Sequence, residues 1–234
     1  QQKDHPMLPP MPPKESEPHK IRIDPRNMMP VAADPQNERR VGSRQHVHLS
    51  TERVRSTIPK GDFTPEHQKN GLEPGESDGR WVYPSEQMFY NAMERKGWDP
   101  NAEDMRSVIA IHNAVNERTW GEVLKWERRH VPPGTAQGDG PRLVRFMGRP
   151  QDLSPKARFR SWIGYNKPFD RHDWFVQRPW DGDKEVRYVI DFYGGNQADL
   201  PEEGKRPIAF HLDVRPACDS VDAVLDRARM WWSE

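Results

Sequence analysis

The chain has 234 residues, with 36 basic and 36 acidic side chains and 33% hydrophobic residues. Because the formal net charge is zero, the composition offers no excess positive charge for binding nucleic acid phosphates. Outside proline-containing stretches, the longest apolar run is the four residues 108–111, far below the ~20 that span a bilayer. The single cysteine, Cys218, excludes an internal disulfide framework and a zinc site built on cysteine pairs.

Residues 1–80 differ in composition from the rest of the chain. They contain 12 of the 24 prolines and one aromatic residue, Phe63, whereas all nine tryptophans lie at or after Trp81. Proline lacks an amide proton and disrupts helices and central strands, so this arm is predicted to be extended or partly disordered. Its segments 21–30 and 49–59 carry apolar residues that either pack on the folded domain or belong to a flexible linker. The folded domain is predicted to be 81–234, long enough for one hydrophobic core.

Three helices are predicted in the first part of this domain. Ser85 is a good N-cap, and Gly97 is placed to end the first helix as a C-terminal cap. A second helix follows Asn101 and buries a stripe of residues at helical spacing, namely Met105, Val108, Ile109, His112 and Val115. Asn116 is predicted to cap a third helix, whose apolar face carries Trp120, Val123 and Leu124.

The periodicity changes after the loop at 132–140. Segments 143–147, 186–193 and 208–214 are rich in β-branched and aromatic residues and predict three strands of an antiparallel sheet. A last helix is predicted from Ser220, with apolar residues recurring through Trp231. The expected fold class is therefore α+β, with helices packed against a small antiparallel sheet and preceded by the proline-rich arm.

Three features are candidates for chemistry. His112 lies in the apolar stripe, where an imidazole needs a protein hydrogen-bond partner or a metal, and the stripe alone favours the first. His172 lies between Asp170 and Asp173, which either fix its tautomer or cap backbone amides in a loop, and the spacing favours the loop. Aromatic residues near both histidines are more often core than cofactor contacts, yet an imidazole among them suggests a flat, apolar, iron-bearing ligand. The absence of phosphate-binding glycine loops, HExxH motifs and serine elbows weakens phosphoryl transfer, hydride transfer and serine hydrolysis.

Several ordered motifs of the domain carry a family resemblance. They are WVYPSEQM at 81–88, IHN at 111–113 with LKWE at 124–127, SWIGY at 161–165, PFDRHDW at 168–174, VRYVID at 186–191 and LDVRPA at 212–217. Together they resemble the cytochrome c haem lyase, or holocytochrome c synthase, family over essentially all of 81–234. In the arm, segments 24–30, 49–53 and 56–59 are similar to the same family.

The resemblance implies a lyase that joins the two vinyl groups of haem b, its bound substrate, to the two cysteines of a CxxCH segment in apocytochrome c. The thiols come from the substrate, so the enzyme needs no cysteine of its own. The implied location is the intermembrane-space side of the mitochondrial inner membrane, with peripheral membrane association. The alternatives are a non-enzymatic haem carrier or cytochrome c chaperone, and a purely structural interaction domain. Family-like motifs in 161–174 and 212–217 favour the enzyme, because a simple carrier would not need them.

The resemblance also implies roles for single residues. His112 matches the haem-iron ligand of the family, with the substrate's own histidine as the second axial ligand. Trp81 and Tyr83 are expected to line the haem pocket, and Glu117 to orient the ligand helix near a turn between two helices. The other expected haem contacts are Trp126, Trp162, His172, whose role stays open, and Arg178, which suits a propionate carboxylate.

The arm departs from the family pattern in one respect. Members of the family often carry Cys-Pro haem motifs there, whereas Cys218 of this chain precedes Asp219 and the nearest arm dipeptide is His5-Pro6. Haem capture by the arm is therefore in doubt for this chain. His5 is an alternative ligand, although a histidine in a proline-rich tail is usually solvated.

Overall fold

The computed structural model describes residues 23–24, 29–30, 46–61, 79–136, 138–194 and 210–233. Within these ranges it contains four α-helices and three β-sheets, which confirms the α+β class. The strands β1 (Ile23–Asp24) and β2 (Met29–Pro30) of the arm pair antiparallel. The remainder of 1–45, including His5-Pro6 and the proline-rich run beside it, lies outside the described residues.

The second apolar segment of the arm packs on the domain. Strand β3 (Arg55–Pro59) pairs antiparallel with β4 (Arg80–Val82), and Ile58 of β3 lies in the main core. Leu49 is buried in a smaller cluster with residues of the first two helices. Of the two interpretations of 49–59, the structure therefore supports packing on the domain. The boundary at residue 80 itself stays a prediction.

Helix α1 (Glu86–Arg95) has the predicted ends. The Ser85 hydroxyl accepts a hydrogen bond from the Met88 amide at 3.1 Å, which satisfies one of the free amides of the first turn. Gly97 follows the last turn with a φ of +81°, a left-handed conformation that glycine adopts without steric cost. Local capping chemistry thus fixes where α1 begins and ends.

Helix α2 (Met105–Glu127) is one continuous helix of 23 residues. The prediction of a new helix at Asn116, with a turn between two helices near Glu117, is wrong. The Asn116 side chain donates to the His112 carbonyl at 2.8 Å, four residues earlier in the same helix, so it bonds within the helix instead of capping a new one. No proline interrupts this segment, and Gly121 weakens a helix only modestly.

The central sheet has four antiparallel strands in the order β5 (Arg142–Gly148), β6 (Asp170–Arg178), β7 (Lys184–Gly194) and β8 (Phe210–Pro216). The three predicted strands correspond to β5, β7 and β8, apart from residues 208–209, which lie outside the described residues. The interpretation of the segment around His172 as a loop is wrong, because it forms β6. Arg171 and Asp173 are both buried on this strand, and their charges hide the alternation expected of a half-buried strand.

The two faces of the sheet bury different kinds of side chain, apolar on one face and charged on the other. One face packs on α2 through a hydrophobic core that includes Trp120, Val123, Trp174, Val176, Tyr188 and Ile190. On the other face, the buried Asp173 carboxylate pairs with Arg149, Arg171 and Arg187 at 3.5, 3.0 and 2.8 Å. Such pairs keep the second face of the sheet polar although it is covered.

Helices α3 (Pro155–Trp162) and α4 (Val221–Ser233) lie on the polar side and along β8, respectively. Ser154, the N-cap of α3, donates to Asp191 of β7 at 2.6 Å. On α4, Arg227 donates to the carbonyl of Pro216 at 2.7 Å, and His130 contacts Asp226 at 2.8 Å. None of the helices in the described ranges combines the length and the hydropathy needed to cross a lipid bilayer.

Candidate functional site

His112 lies on the first half of α2, partly buried among aromatic side chains. Its ring centroid is 6.0 Å from that of Tyr83 at an interplanar angle of 84°, and 5.2 Å from that of Phe89 at 64°. Tyr83 directly follows β4 and Phe89 lies on α1, so three elements converge on one imidazole. Both contacts have edge-on geometry, which aromatic pairs prefer over face-to-face stacking.

The two ring nitrogens of His112 have different partners. Nδ1 lies 3.2 Å from the Asn113 side-chain oxygen, an acceptor, which favours the tautomer with the proton on Nδ1. The Asn116 amide lies 3.3 Å from Nε2 and also donates to the His112 carbonyl at 2.8 Å. Nε2 therefore holds a lone pair. Its contact with the Asn116 amide is long, and that amide makes a shorter hydrogen bond to the His112 carbonyl. This is the tautomer in which histidines bind metals through Nε2.

Burial keeps His112 uncharged. It lowers the pKa of the imidazole below its ordinary value of 6.5, against a smaller opposing effect of the hydrogen bond with Asn113. Electrostatic interaction with His172 lowers the pKa further, so the two histidines lie close enough to influence each other. A neutral imidazole is the form that ligates iron, and the surroundings of His112 favour it at neutral pH.

His172 brings the start of β6 to the same region. Its Nε2 lies 3.1 Å from an oxygen of Asp170, and its ring centroid is 5.1 Å from that of Phe192 on β7. Burial alone would raise the pKa of the Asp170 carboxyl, but the hydrogen bond and charge interaction with His172 hold it below its ordinary value. Among the residues that the structure describes, Nδ1 of His172 is buried and has no hydrogen-bond partner. It is a buried polar atom close to this site that lacks a partner among the described residues.

Glu117 joins α2 to the two short strands beneath it. Its carboxylate accepts hydrogen bonds from the Tyr83 hydroxyl at 2.9 Å, from the Thr57 amide at 3.0 Å and from the Thr57 hydroxyl. Burial and this carboxylate raise the pKa of Tyr83, so the phenol stays protonated and remains a donor. These contacts support the structural role predicted for Glu117, although it acts within one helix and not near a turn.

Replacing Glu117 by alanine is expected to lower the free energy of unfolding by about 2 kcal/mol, because it leaves the Tyr83 hydroxyl and the Thr57 amide without their charged acceptor. Urea denaturation followed by circular dichroism measures this change. The matched control is Glu122→Ala on the same helix, whose partner Lys125 is largely exposed at 57%. That change should cost less than about 1 kcal/mol, and equal losses in the two variants would contradict the role of Glu117.

Two other predicted haem contacts serve the fold. Trp81 is buried, donates to the carbonyl of Leu143 at 2.9 Å and packs against Phe146. Trp126 lies fourteen residues after His112, about 21 Å along the helix axis, and donates to the carbonyl of Val214. Trp81 therefore supports the strand that precedes Tyr83, and the structure does not bring Trp126 to His112.

Arg178 is held elsewhere, and Trp162 makes none of the ring contacts of His112 among the described residues. The Arg178 guanidinium donates to both oxygens of Glu127 at 2.8 and 2.9 Å, in a pair whose side chains are only 5% and 0% exposed. Trp162 lies on α3 and is 82% exposed. Among the described residues, the rings in contact with His112 are those of Tyr83 and Phe89. The haem-binding roles of Arg178 and Trp162 stay predictions that the geometry does not support.

Sequence reasoning did not assign three residues of this site. Phe89 was predicted only as part of an amphipathic helix, Asn116 as a helix cap, and Thr57 was part of the arm. The sequence did contain a signal for Asn116. It lies four residues after His112, and residues four apart on a helix are neighbours on one face. The contact of Phe89 with His112 depends on how α1 packs on α2, which no local pattern specifies.

The site offers one neutral imidazole, flanked by aromatic edges, with a second histidine nearby. In the parts of the chain that the structure describes, no three His, Cys, Asp or Glu side chains are grouped to hold a bare metal ion. A porphyrin supplies four ligands to its iron and takes an axial histidine from the protein. The fold and the site thus define an α+β protein that offers a single neutral imidazole among aromatic side chains.

The chain belongs to the family described as Cytochrome c/c1 heme lyase, whose model matches residues 2–231. It is 47% identical over 216 residues to the Holocytochrome c-type synthase of Gallus gallus, covering 90% of this chain and 68% of that protein. The human protein of the same name is 44% identical over 220 residues, covering 92% and 71%. The Holocytochrome-c synthase of Saccharomyces cerevisiae is 40% identical over 230 residues, covering 88% and 74%. No solved structure matches the chain.

Proposed function

We propose that this protein is a holocytochrome c synthase, a lyase that binds haem b as a substrate and attaches it through thioether bonds to the two cysteines of the CxxCH segment of apocytochrome c. The observation that carries the proposal is the neutral His112 imidazole at the centre of an aromatic site, in a chain of the heme lyase family. The fold class and the family were both expected from the sequence motifs.

The residues present fit haem. Nε2 of His112 is the axial ligand once iron replaces its long contact with Asn116, which keeps its shorter bond to the His112 carbonyl. Tyr83 and Phe89 present apolar edges beside that ligand. The buried Nδ1 of His172 is the second polar contact offered to the ligand. Arg178 and Trp126 are left out of this pocket for the geometric reasons given above, and Trp162 is not among the ring contacts of His112 in the described residues.

The chemistry then consists mainly of positioning. In each thioether, a bond forms between the cysteine sulfur and one vinyl carbon, and the neighbouring vinyl carbon gains the proton that balances the addition. No oxidant or leaving group takes part. Because iron bonded to His112 and to the substrate's histidine fixes haem and peptide in register, an encounter becomes an effectively unimolecular step. The enzyme uses none of its own thiols, and Cys218 lies exposed just before α4.

The Asn113 hydrogen bond is expected to strengthen haem binding, because it orients His112 and makes its Nε2 a better ligand. Replacing Asn113 by alanine should weaken haem affinity about 10-fold to 100-fold, the usual cost of losing such a partner. The matched control is Asn116→Ala, one turn along the same helix. Its amide competes with iron for Nε2, so its removal should leave affinity unchanged or increase it. Titration with haem followed by Soret absorbance measures both, and equal losses would contradict this assignment.

The family resemblance also supports a subcellular location. We infer that the protein works in mitochondria, peripherally attached to the intermembrane-space side of the inner membrane. Similar holocytochrome c synthases occur in human and yeast, which are eukaryotes.

Product release follows from the chemistry of the iron ligand. It requires the bond between His112 and iron to weaken once the thioethers form and the cytochrome folds around its haem.

The proposed function is tested by co-expression with apocytochrome c in a host that lacks its own cytochrome c maturation system. Haem that stays on the cytochrome through denaturation is the expected product. Apocytochrome c with both CxxCH cysteines changed to serine is the control and should acquire none. If the protein binds haem but the intact substrate acquires no covalent haem under reducing conditions, the alternative of a non-enzymatic carrier or chaperone replaces the lyase.

A further inference from the structure

Helix α3 attaches to the protein through small and polar residues. The Ser154 hydroxyl donates to Asp191 at 2.6 Å and accepts from Arg215 at 2.7 Å, and Lys156 pairs with Asp213 at 2.7 Å. Ala157 is the residue of α3 whose side chain is most buried, at 1% exposure. The inner side of this helix is thus firmly held without using a large apolar side chain.

The large apolar side chains of α3 and of the turn after it point away from the protein. They are Phe159, Trp162, Ile163 and Tyr165, exposed by 58%, 82%, 52% and 57%. A surface helix normally turns such residues toward the core. Because the inner side of α3 is already packed, this outward arrangement is not explained by a loosely attached helix. An exposed apolar group of this kind marks a surface that contacts something else.

The same stretch is strongly basic. Residues 155–169 contain four basic side chains, Lys156, Arg158, Arg160 and Lys167, and no acidic one. Lys156 is paired, whereas Arg158 and Lys167 are exposed and the Arg160 guanidinium lies 4.7 Å from the centre of the Tyr165 ring. One cation thus lies against an exposed ring, and two more are exposed in the same stretch of chain. We call the four apolar side chains with Arg158, Arg160 and Lys167 the α3 patch.

Helix α4 provides a contrast within the same molecule. It too exposes large apolar residues, with Trp231 at 79% and Trp232 at 86%. However, residues 219–233 contain three acidic side chains and two basic ones, a net charge of −1 against +4 for 155–169. Two exposed aromatic surfaces therefore differ in charge, and only the α3 patch complements a negatively charged partner.

We propose that the α3 patch docks this protein onto the surface of an anionic lipid bilayer. Tryptophan and tyrosine favour the boundary between lipid and water, because each has an apolar body and a polar tip. Arginine and lysine beside them reach the negatively charged headgroups while their stems stay along apolar surface. An acidic protein would match the charge, but four apolar side chains exposed on α3 and the turn after it suit insertion between headgroups better than a complementary protein pocket. The proposal assigns one surface to the peripheral association that the family resemblance implies, and it does not depend on haem binding.

Flotation of the purified full-length chain with vesicles tests this inference. Vesicles of phosphatidylcholine alone are compared with vesicles that also contain anionic phosphatidylglycerol. The protein should bind the anionic vesicles, bind neutral ones at least about tenfold more weakly, and lose binding as salt rises. The double variant Phe159→Ala, Trp162→Ala should lose about tenfold in affinity, and so should Arg158→Gln with Lys167→Gln.

The control is Trp231→Ala with Trp232→Ala, which removes two similarly exposed tryptophans from a helix without excess positive charge and should bind like the unmodified chain. All altered side chains are on the surface, so circular dichroism should show the same fold for every variant. Equal binding to neutral and anionic vesicles, or an equal loss in the α4 control, would overturn the proposal. Absence of binding to anionic vesicles would also overturn it and would leave an acidic protein as the partner of this surface.

Discussion

Replacing Arg178 by alanine is expected to lower the free energy of unfolding by about 3–5 kcal/mol, the cost of leaving a buried charge without its partner. Its guanidinium bonds both oxygens of Glu127, and the Tyr188 hydroxyl donates to the same carboxylate at 2.5 Å. Glu127 is fully buried at the end of α2. Without Arg178, that carboxylate has to stay charged in the core with two hydrogen bonds fewer or take up a proton.

The measurement is equilibrium denaturation in urea, followed by circular dichroism. Arg145→Ala is the matched control, because Arg145 pairs at 3.2 Å with the more exposed Glu185 and its loss should cost less than about 1 kcal/mol. The expectation drawn from the sequence was that Arg178 binds a haem propionate. If Arg178→Ala is as stable as the unmodified chain but binds haem more weakly, the original prediction is correct and Arg178 does not serve mainly to stabilise Glu127.

Replacing His112 by alanine is expected to weaken haem binding by more than about 100-fold. Losing a hydrogen-bond partner of an iron ligand costs about 10-fold to 100-fold, and losing the ligand itself should cost more. The purified variant should lack the absorbance spectrum of histidine-ligated haem that the unmodified protein gives. Stability should change little, because Asn113 and Asn116, the partners of the ring, stay partly exposed and can bind water.

His130→Ala is the control for this result. His130 is also a partly buried histidine and contacts Asp226 at the other end of α2, so its loss removes a comparable side chain far from the proposed ligand. It should leave the haem spectrum unchanged. Retention of the histidine-ligated spectrum in His112→Ala would show that another residue provides the axial ligand, and His172 would be the first alternative.

Features that depend on local chemistry could be predicted from the sequence. Ser85 and Gly97 define the ends of α1 through capping and a left-handed φ, which a few neighbouring residues determine. Asn116 misled the same reasoning, because an asparagine that suits a helix cap also bonds well to a carbonyl one turn earlier. Strand β6 was missed since Arg171 and Asp173 are buried as charged partners, and that pairing involves Arg187 of the next strand.

The site was predicted in part for a related reason. The family motifs identify His112, Tyr83 and Glu117, and the structure brings these three together. A motif states which residue occupies a position but not what that residue contacts. Arg178 and Trp126 therefore remained candidates until the 23-residue length of α2 placed them at its far end. The contribution of Phe89 required the packing of two helices, which no single segment contains.

The central claim is that His112 holds haem iron while the thioethers form. Its most direct test is the amount of covalent haem on co-expressed apocytochrome c, measured after denaturation, for the unmodified chain, His112→Ala and His130→Ala at equal protein levels. We expect covalent product with the unmodified chain and with His130→Ala, and a loss of nearly all product with His112→Ala. Full product from His112→Ala would contradict it, because attachment would then proceed without the ligand on which the proposed positioning depends.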